Sequence, residues 1–384
     1  MRRRVYPCLV LALILPLAVV ACSDDDAPTA DEIQAIIDEF QLGPLPATPY
    51  PANNRFNAER IALGRLLFFD PILGGESAPW IKSAAGKDPY RYRANDVACA
   101  TCHHPTLGFA DGRRLGAGVG GATLHESDLG PDRVVPGMSL VTNTPVGTEP
   151  RNSPTILNAA FNGQNSLTPT ALSFQFMDGR VTKGLEEQAG LPITSRDGMG
   201  ARVRNIPEYV SRFRQAFAGE VDEASDITID HVTRAIAAYE RELITPDSRY
   251  DRFLTGQREV LTNQEVEGFK LFCGKGLCGD CHSGPMLSDF TFRVQGVGDD
   301  YDAVLPGFLG KNGAGTDWGR FHADPVAFAD QKFAFRTLTV RNVEVTGPYF
   351  HSGSAGSLAD VVQFYNRGGL GGRDITTEEL TAAG

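Results

Sequence analysis

The chain has 384 residues, of which 42% are apolar and 22% are charged, so it is long enough for two ordinary globular domains. Its formal net charge of −11 excludes a nucleic-acid-binding protein, because binding to phosphates requires a basic face. An acidic surface instead favours a basic partner.

The N-terminal segment is predicted to be an export signal. Three arginines precede an apolar run over residues 9–20, which is too short to span a bilayer together with its flanks. Small residues before Cys22 resemble a bacterial lipobox, so we predict a signal peptide over residues 1–22 and a lipid on Cys22; ordinary cleavage beside an incidental cysteine is the alternative. Residues 23–50 are predicted to be a tether, and the lipid is the only predicted contact with a membrane.

The first half of the mature chain combines short helices with long loops. A short helix is predicted within residues 30–42, and a second within residues 57–70 with Asn57 as its N-cap. Gly-rich segments over residues 73–87 and 112–147 have no convincing period and are predicted to be ordered loops. Strand signals are few along the whole chain.

The second half carries the clearest helical patterns. Residues 228–244 repeat apolar side chains at steps of three and four, which gives one buried stripe. The stripe consists of Ile229, Val232, Ile236, Tyr239 and Leu243. Thr262 and Glu265 form a capping-box pattern before the next helix, and a capped helix near the C-terminus is predicted to end at Gly368 and Gly369.

The pattern Cys-x-x-Cys-His occurs twice, at residues 99–103 and at residues 278–282. On a helical turn, residues i and i+3 lie on the same side, so the two thiols can form thioethers with one haem while the adjacent histidine binds its iron. We therefore predict two covalently bound haems c in two related halves. The attachment residues are Cys99 and Cys102 for the first haem and Cys278 and Cys281 for the second, with His103 and His282 as the proximal ligands.

Two other cofactors fit these cysteines less well. A zinc site needs four ligands, and neither pentad has a second Cys or His pair at zinc spacing. Cys273 extends the second pentad to C-x4-C-x2-C, but an iron–sulfur cluster requires a fourth cysteine. Two haems can serve as an electron-transfer chain or as an enzyme, and the sixth iron ligand decides between these functions.

Several segments resemble the bacterial dihaem cytochrome c peroxidases, including the MauG branch. They include "ALGRLLFFDP", "ACATCHHPTLGFADG", "RNSPTILNAAFN", "CGDCHSGP", "FRTLTVRNVEVTGPYFHSGS" and "FYNRGG", in unbroken order from about residue 57 to residue 367. The resemblance implies a mostly α fold of two cytochrome c-like haem domains packed face to face, with long ordered loops and little β. We place the peroxidatic domain at residues 51–224 and the electron-transfer domain at residues 225–384, which end short of the family's usual final helix.

The resemblance also implies the reaction and its partners. Such a protein reduces hydrogen peroxide at the first haem, with electrons that a small cytochrome c or cupredoxin delivers to the second haem. The predicted location is the periplasm, and a homodimer is a predicted assembly. A MauG-like oxidase acting on an organic or protein substrate, and a dihaem electron-transfer lipoprotein without enzyme activity, are the alternative functions.

Further site residues follow from the resemblance alone. Tyr365 matches the distal ligand of the second haem, where the peroxidase branch has methionine, and a packed aromatic side chain is the alternative interpretation. His351 matches a family histidine near this haem that is not a ligand. A calcium site maps to the side chain of Asn158 and the carbonyls of Thr346 and Pro348, since oxygen ligands suit calcium.

The predicted peroxide pocket departs from the family. Gln188 and Pro192 are retained, but Gly198 stands where a proton-shuttling glutamate is expected, with Asp197 as its only substitute. Met177 replaces the tryptophan that lies between the haems, which predicts slower electron transfer.

The distal loop of the first haem departs as well. Val119 replaces a distal histidine, so this haem is predicted to be open at rest, and His125 is the alternative ligand.

Overall fold

The computed structural model describes residues 29–74, 98–112, 117–124, 146–148, 151–163, 174–194, 199–297 and 317–369. Helices dominate the described ranges, as predicted, and short irregular segments connect them. The α-helices are α1 Ala30–Glu39, α2 Ala58–Phe69, α3 Cys99–Cys102, α4 Leu185–Thr194, α5 Met199–Arg204, α6 Pro207–Ala216, α7 Ile229–Glu240, α8 Arg249–Leu254, α9 Asn263–Cys273 and α10 Leu358–Asn366.

Sheet is confined to two small antiparallel ribbons in the described parts of the chain. Strands β1 Ala117–Leu124 and β2 Val146–Thr148 pair with each other, and β3 Phe292–Arg293 pairs with β4 Phe335–Arg336. Short 3-10 turns supply much of the remaining regular backbone. Among the described residues there is no helix with both the length and the apolarity needed to span a bilayer.

The predicted caps are present. The Asn57 side chain accepts a hydrogen bond from the Arg60 amide at the start of α2, and Thr262 and Glu265 form a reciprocal capping box at the start of α9. After α10, Gly368 (φ 84°) and Gly369 (φ 86°) adopt the left-handed backbone that ends the helix. Local sequence therefore fixes where these helices begin and end.

The first hydrophobic core contains residues from both sides of the predicted domain boundary at residue 225. Helix α7 packs its apolar stripe against α2, α4 and α6, with Val232, Ile236 and Tyr239 buried in one cluster with Leu67 and Phe213. A domain boundary at residue 225 would separate α7 from this core, so we propose that the boundary lies between α7 and α8. The stripe showed that α7 is buried, but not against which helices.

The second hydrophobic core includes residues of the segment predicted to be a tether. Ile33 and Ile37 of α1 are buried against Phe253 and Phe269, so the described part of the 23–50 segment is folded onto the second half. Helix α1 can pack in this way because Ile33 and Ile37 are about one helical turn apart and lie on one face of the helix. Residues 1–22, with the predicted signal peptide and lipidated cysteine, lie outside the described residues.

The two halves meet along a seam that contains both apolar and charged contacts. Phe161 of the first half packs in one small buried cluster with Met286 and Phe290 of the second. The backbone amide of Asn152 donates to the carbonyl of His351 at 2.8 Å. These contacts agree with the predicted face-to-face arrangement.

Candidate haem-binding sites

The first pentad forms one helical turn followed by a fixed histidine. Cys99 and Cys102 are the first and last residues of α3, and the His103 amide donates to the Cys99 carbonyl at 2.9 Å. Nδ1 of His103 lies 3.2 Å from the carbonyl oxygen of Phe109. Because a carbonyl only accepts, the ring donates through Nδ1–H and Nε2 keeps its lone pair.

The second pentad repeats this geometry. The His282 amide donates to the Cys278 carbonyl at 2.9 Å, and Nδ1 of His282 lies 3.0 Å from the carbonyl oxygen of Leu287. Burial lowers the pKa of both His103 and His282, which favours the neutral imidazole that a metal ligand must be. Both pentads therefore fit a haem c, with two thiols on one turn and a neutral histidine whose Nε2 is free to bind iron.

The accepting carbonyls belong to residues with an unusual backbone. Phe109 (φ 55°) and Leu287 (φ 49°) both occupy the left-handed region, which costs a non-glycine residue about 1–2 kcal/mol. In both halves the strained residue is the one that presents its carbonyl to the proximal histidine. Neither residue could be found from the sequence, because nothing in an isolated Phe or Leu indicates a positive φ.

Tyr365 lies on α10 beside the second pentad. Its ring contacts Phe350 at a centroid distance of 6.2 Å, and 46% of the residue is exposed. Burial of the hydroxyl, and then the nearby thiols of Cys281 and Cys278, raise the pKa of Tyr365. The phenol is therefore close enough to these two cysteines for their charges to act on it.

His351 occupies the seam. Its buried ring stacks on Phe335 with centroids 3.8 Å apart and planes 9° from parallel. This stacking fixes the ring at the boundary between the halves.

Met177 lies at the same seam and is 4% exposed. Its carbonyl accepts from the Arg336 amide of β4 at 2.8 Å. The adjacent Asp178 is fully buried and pairs with Arg151 at 2.7 Å. Met177 therefore lies where the two halves meet.

Two residues of the predicted peroxide pocket, Gln188 and Pro192, lie on α4. The Oε1 atom of Gln188 is buried without a hydrogen-bond partner among the described residues, and Pro192 lies inside the same helix. A buried amide oxygen without a donor costs about 1–3 kcal/mol, so this oxygen is available to accept a hydrogen bond. Asp197, Gly198 and His125 lie outside the described residues, and of Val119 only the backbone, in β1, is described.

One of the predicted calcium ligands, the side chain of Asn158, already accepts hydrogen bonds from the protein. Asn158 is fully buried, and its Oδ1 accepts from both the amide (2.9 Å) and the hydroxyl (3.3 Å) of Thr245. The side chain of Asn342 donates to the same hydroxyl at 3.0 Å, so two asparagines, one from each half, hold Thr245. Thr346 lies across the seam from Gly108. In the described geometry the Asn158 oxygen therefore accepts from Thr245.

Two linked halves, each with a haem c attachment pentad and a histidine fixed for iron binding, define a dihaem c-type cytochrome. The family model of the di-haem cytochrome c peroxidases matches residues 58–259. The chain therefore belongs to the di-haem cytochrome c peroxidase family, which includes MauG, and it is an oxidoreductase of this family.

Individual relatives agree with this assignment. The methylamine utilization protein MauG of Methylorubrum extorquens is 31% identical over 363 residues, covering 92% of this chain and 82% of its own length. A cytochrome c551 peroxidase of Pseudomonas aeruginosa is 33% identical, with coverages of 80% and 72%. The crystal structure of a MauG-like protein associated with microbial copper homeostasis shares the fold, with a TM-score of 0.59 and 24% identity over 87% of this chain and 82% of that one.

Proposed function

We propose that this protein is a dihaem c-type peroxidase that reduces hydrogen peroxide to water with electrons from a small redox carrier. The observation that carries the proposal is the repeated histidine geometry at residues 99–103 and 278–282, within a family of di-haem peroxidases. When bound, the haems supply an iron centre for peroxide and a second centre that stores an electron. Every other requirement falls on the protein chain.

The chain must bind peroxide and move one proton. The unpartnered Oε1 of Gln188 supports a role in accepting a hydrogen bond from the peroxide hydroxyl, and Pro192 shapes the same end of α4. The proton transfer between the two peroxide oxygens is assigned to Asp197, because Gly198 has no side chain to do it. Such assistance is typically worth about 10² to 10⁴ in rate, and an aspartate has a shorter side chain than the family's glutamate, so we propose a slow peroxidase.

Electrons enter at the second half in this proposal. Tyr365 is the proposed distal ligand there, and its position beside Cys281 and Cys278 supports that role. The donor is a small cytochrome c or a cupredoxin, for which the net charge of −11 favours a basic docking surface. Met177 then lies on the route between the two sites, with His351 beside it at the seam.

The remaining features of the proposal rest on the sequence. Export to the periplasm and a lipid on Cys22 rest on the N-terminal pattern, and a homodimer is the proposed assembly. Calcium at Asn158, Thr346 and Pro348 rests on the family resemblance alone, because the Asn158 amide must exchange its Thr245 partners for the ion.

A second function is favoured by one residue. Tyr365, in place of methionine, matches the MauG branch, and tyrosinate stabilises oxidised iron. A MauG-like oxidase acting on an organic or protein substrate is therefore the alternative, and a non-enzymatic electron-transfer lipoprotein is the third possibility.

The proposal is tested with mature protein that mass spectrometry shows to carry two haems. We expect it to consume hydrogen peroxide with a reduced small cytochrome c as donor. Gln188→Leu should lower this turnover at least tenfold, because it removes the proposed acceptor of the peroxide hydroxyl. Gln215→Leu, the same change on the exposed face of α6, is the control and should leave turnover unchanged.

Three outcomes contradict the proposal in different ways. A two-haem protein without peroxide turnover, even after Gly198→Glu, supports the electron-transfer function. Turnover that is normal in Gln188→Leu places peroxide elsewhere and removes α4 from the pocket. Oxidation of an added organic substrate in preference to the cytochrome supports the oxidase.

A further inference from the structure

The peptide that precedes each histidine-binding carbonyl is held by a threonine from a distant segment. In the first half, the Thr155 hydroxyl donates to the Gly108 carbonyl at 2.5 Å. The N–H of the same peptide, on Phe109, donates to the His104 carbonyl at 3.0 Å. Both ends of the Gly108–Phe109 peptide are therefore fixed, and the next carbonyl along the chain is the one that accepts from His103.

The second half contains the same arrangement. The Thr339 hydroxyl donates to the Met286 carbonyl at 2.5 Å, and the Leu287 amide donates to the Gly284 carbonyl at 3.1 Å. The next carbonyl, on Leu287, accepts from His282. In each half the threonine hydroxyl also accepts from the amide two residues later, Leu157 (3.0 Å) or Arg341 (3.1 Å), which fixes the hydroxyl itself.

The repeat extends to an asparagine three residues after each threonine. Asn158 (φ 60°) and Asn342 (φ 59°) both adopt the left-handed backbone, and both side chains reach Thr245. A pattern Thr-x-x-Asn thus follows each pentad, although the separations differ. Thr155 lies 52 positions after His103 (155 − 103), and Thr339 lies 57 positions after His282 (339 − 282). Two independent occurrences of one arrangement make a chance contact an unsatisfactory explanation.

We propose that Thr155 and Thr339 are positioning residues that set how strongly His103 and His282 donate electrons to their irons. A hydrogen bond from Nδ1–H to a carbonyl raises the basicity of Nε2, which stabilises oxidised iron and fixes the ring orientation. The accepting carbonyl sits on a strained left-handed residue, so its direction depends on what holds the adjacent peptide. Thr155 fixes the peptide in the first half, and Thr339 fixes the corresponding peptide in the second half.

The potential of the second haem should respond more strongly to loss of its threonine than the potential of the first haem. The Phe109 carbonyl is shared, because it also accepts from the Ile156 amide at 3.3 Å. The Ile156 amide thus helps to hold the Phe109 carbonyl, so the direction of that carbonyl depends less on Thr155 than the direction of the Leu287 carbonyl depends on Thr339. The bond of His282 to its carbonyl is also shorter than that of His103, at 3.0 Å against 3.2 Å.

The test is a redox titration of the intact two-haem protein, followed optically and by electron paramagnetic resonance. Thr339→Val removes the hydroxyl and keeps the shape, and we expect it to raise the midpoint potential of the second haem while the first stays unchanged. Thr155→Val should raise the potential of the first haem alone, by a smaller amount. Each tenfold change in the ferrous-to-ferric ratio at a given potential corresponds to about 59 mV for one electron.

Serine variants separate the hydroxyl from the methyl group. Thr155→Ser and Thr339→Ser retain the donor, so both potentials should stay at the wild-type values. A shift in the serine variants as large as in the valine variants would show that methyl packing, not the hydrogen bond, controls the site. Where a valine variant does not accumulate with two haems, the alanine variant replaces it and should shift the potential in the same direction.

Two further results would overturn the inference. One is a pair of valine variants with two haems and unchanged potentials. The other is a shift of both haems by either single variant, which indicates a general loosening of the fold. The inference rests on haem attachment and not on peroxide turnover, so failure of the proposed peroxidase activity would leave these potentials to be measured independently.

Discussion

Glu240, the last residue of α7, has a buried carboxyl group. The residue is 4% exposed, and its Oε2 is buried without a hydrogen-bond partner among the described residues. The neighbouring Arg241 pairs with Glu186 at 2.7 Å, so its charge is already compensated. Burial raises the pKa of Glu240 to about 8, against the opposing charge of Arg241, and the carboxyl is protonated at neutral pH.

This residue predicts a pH dependence of stability. A carboxyl whose pKa is raised on folding stabilises the folded state fully below its unfolded value of 4.5, and that contribution is lost as the pH rises towards 8. Glu240→Gln has no proton to lose, so its advantage over the wild type should grow by about 1.4 kcal/mol per pH unit across this window. Thermal unfolding of both proteins at pH 5 and pH 8 checks the prediction. A stability difference that is the same at both values would contradict it.

At the scale of elements, the crossing of α2 and α7 depends on one glycine. A Cβ added at Gly64 would lie 1.8 Å from the carbonyl oxygen of Ala235 and 3.1 Å from the Cβ of Tyr239. The obstacle is the backbone of α7, which cannot rotate away as a side chain does. Glycine in a helix interior is otherwise unfavourable by about 1 kcal/mol relative to alanine, so close packing outweighs helix propensity here.

Gly64→Ala should therefore destabilise the first core despite improving helix propensity. We expect a loss of at least about 1–3 kcal/mol in the free energy of unfolding, since the two helices must separate. Gly268→Ala in α9 is the matched control, because that glycine is exposed with nothing within 4 Å of its added Cβ. It should stabilise by up to about 1 kcal/mol. Denaturant unfolding of both variants measures the contrast, and a Gly64→Ala protein as stable as the wild type would disprove the close crossing.

At the scale of the whole molecule, a buried ion cluster joins the two halves. Arg151 of the first half forms a two-bond contact with Asp317 of the second, at 2.5 and 2.7 Å, and also binds Asp178 at 2.7 Å. Both carboxylates are essentially buried. Removing one partner of such a group leaves an uncompensated buried charge, which typically costs about 3–5 kcal/mol.

The ionisation of Asp317 makes the stability of the seam depend on pH. Burial alone would raise its pKa, but the charge of Arg151 prevails and lowers the pKa of Asp317 to about 2. A lowered carboxyl pKa stabilises the fold above the ordinary value of 3.8, and this contribution of about 2–3 kcal/mol is lost as the pH falls towards 2. The seam should therefore be a weak point of the molecule in acid.

Asp317→Asn should destabilise the protein at pH 7 and reduce its additional loss of stability in acid. Glu267→Gln, in the exposed pair with Lys270 on α9, is the control and should change stability by at most about 1 kcal/mol. Thermal unfolding at pH 7 and pH 3 followed by circular dichroism gives the comparison. Equal acid sensitivity in Asp317→Asn and the wild type would show that other groups control it.

Much of this molecule was predictable because the signals are local. The two pentads at residues 99–103 and 278–282 fix the haem attachment chemistry within five residues each, and the caps at Asn57, Thr262 and Gly368 determine helix ends within one turn. The family followed from short motifs of the same kind. None of these inferences required knowledge of which distant residues touch.

Pairings between distant segments were decided only by the tertiary structure. The stripe of α7 predicted burial, but only packing shows that α7 completes the first core and that α1 completes the second. The threonines that hold the histidine loops, Thr155 and Thr339, are unremarkable in sequence until the loops they hold are seen beside them. Amphipathic period and cap chemistry report the environment of a residue, whereas its partner depends on how the whole chain closes on itself.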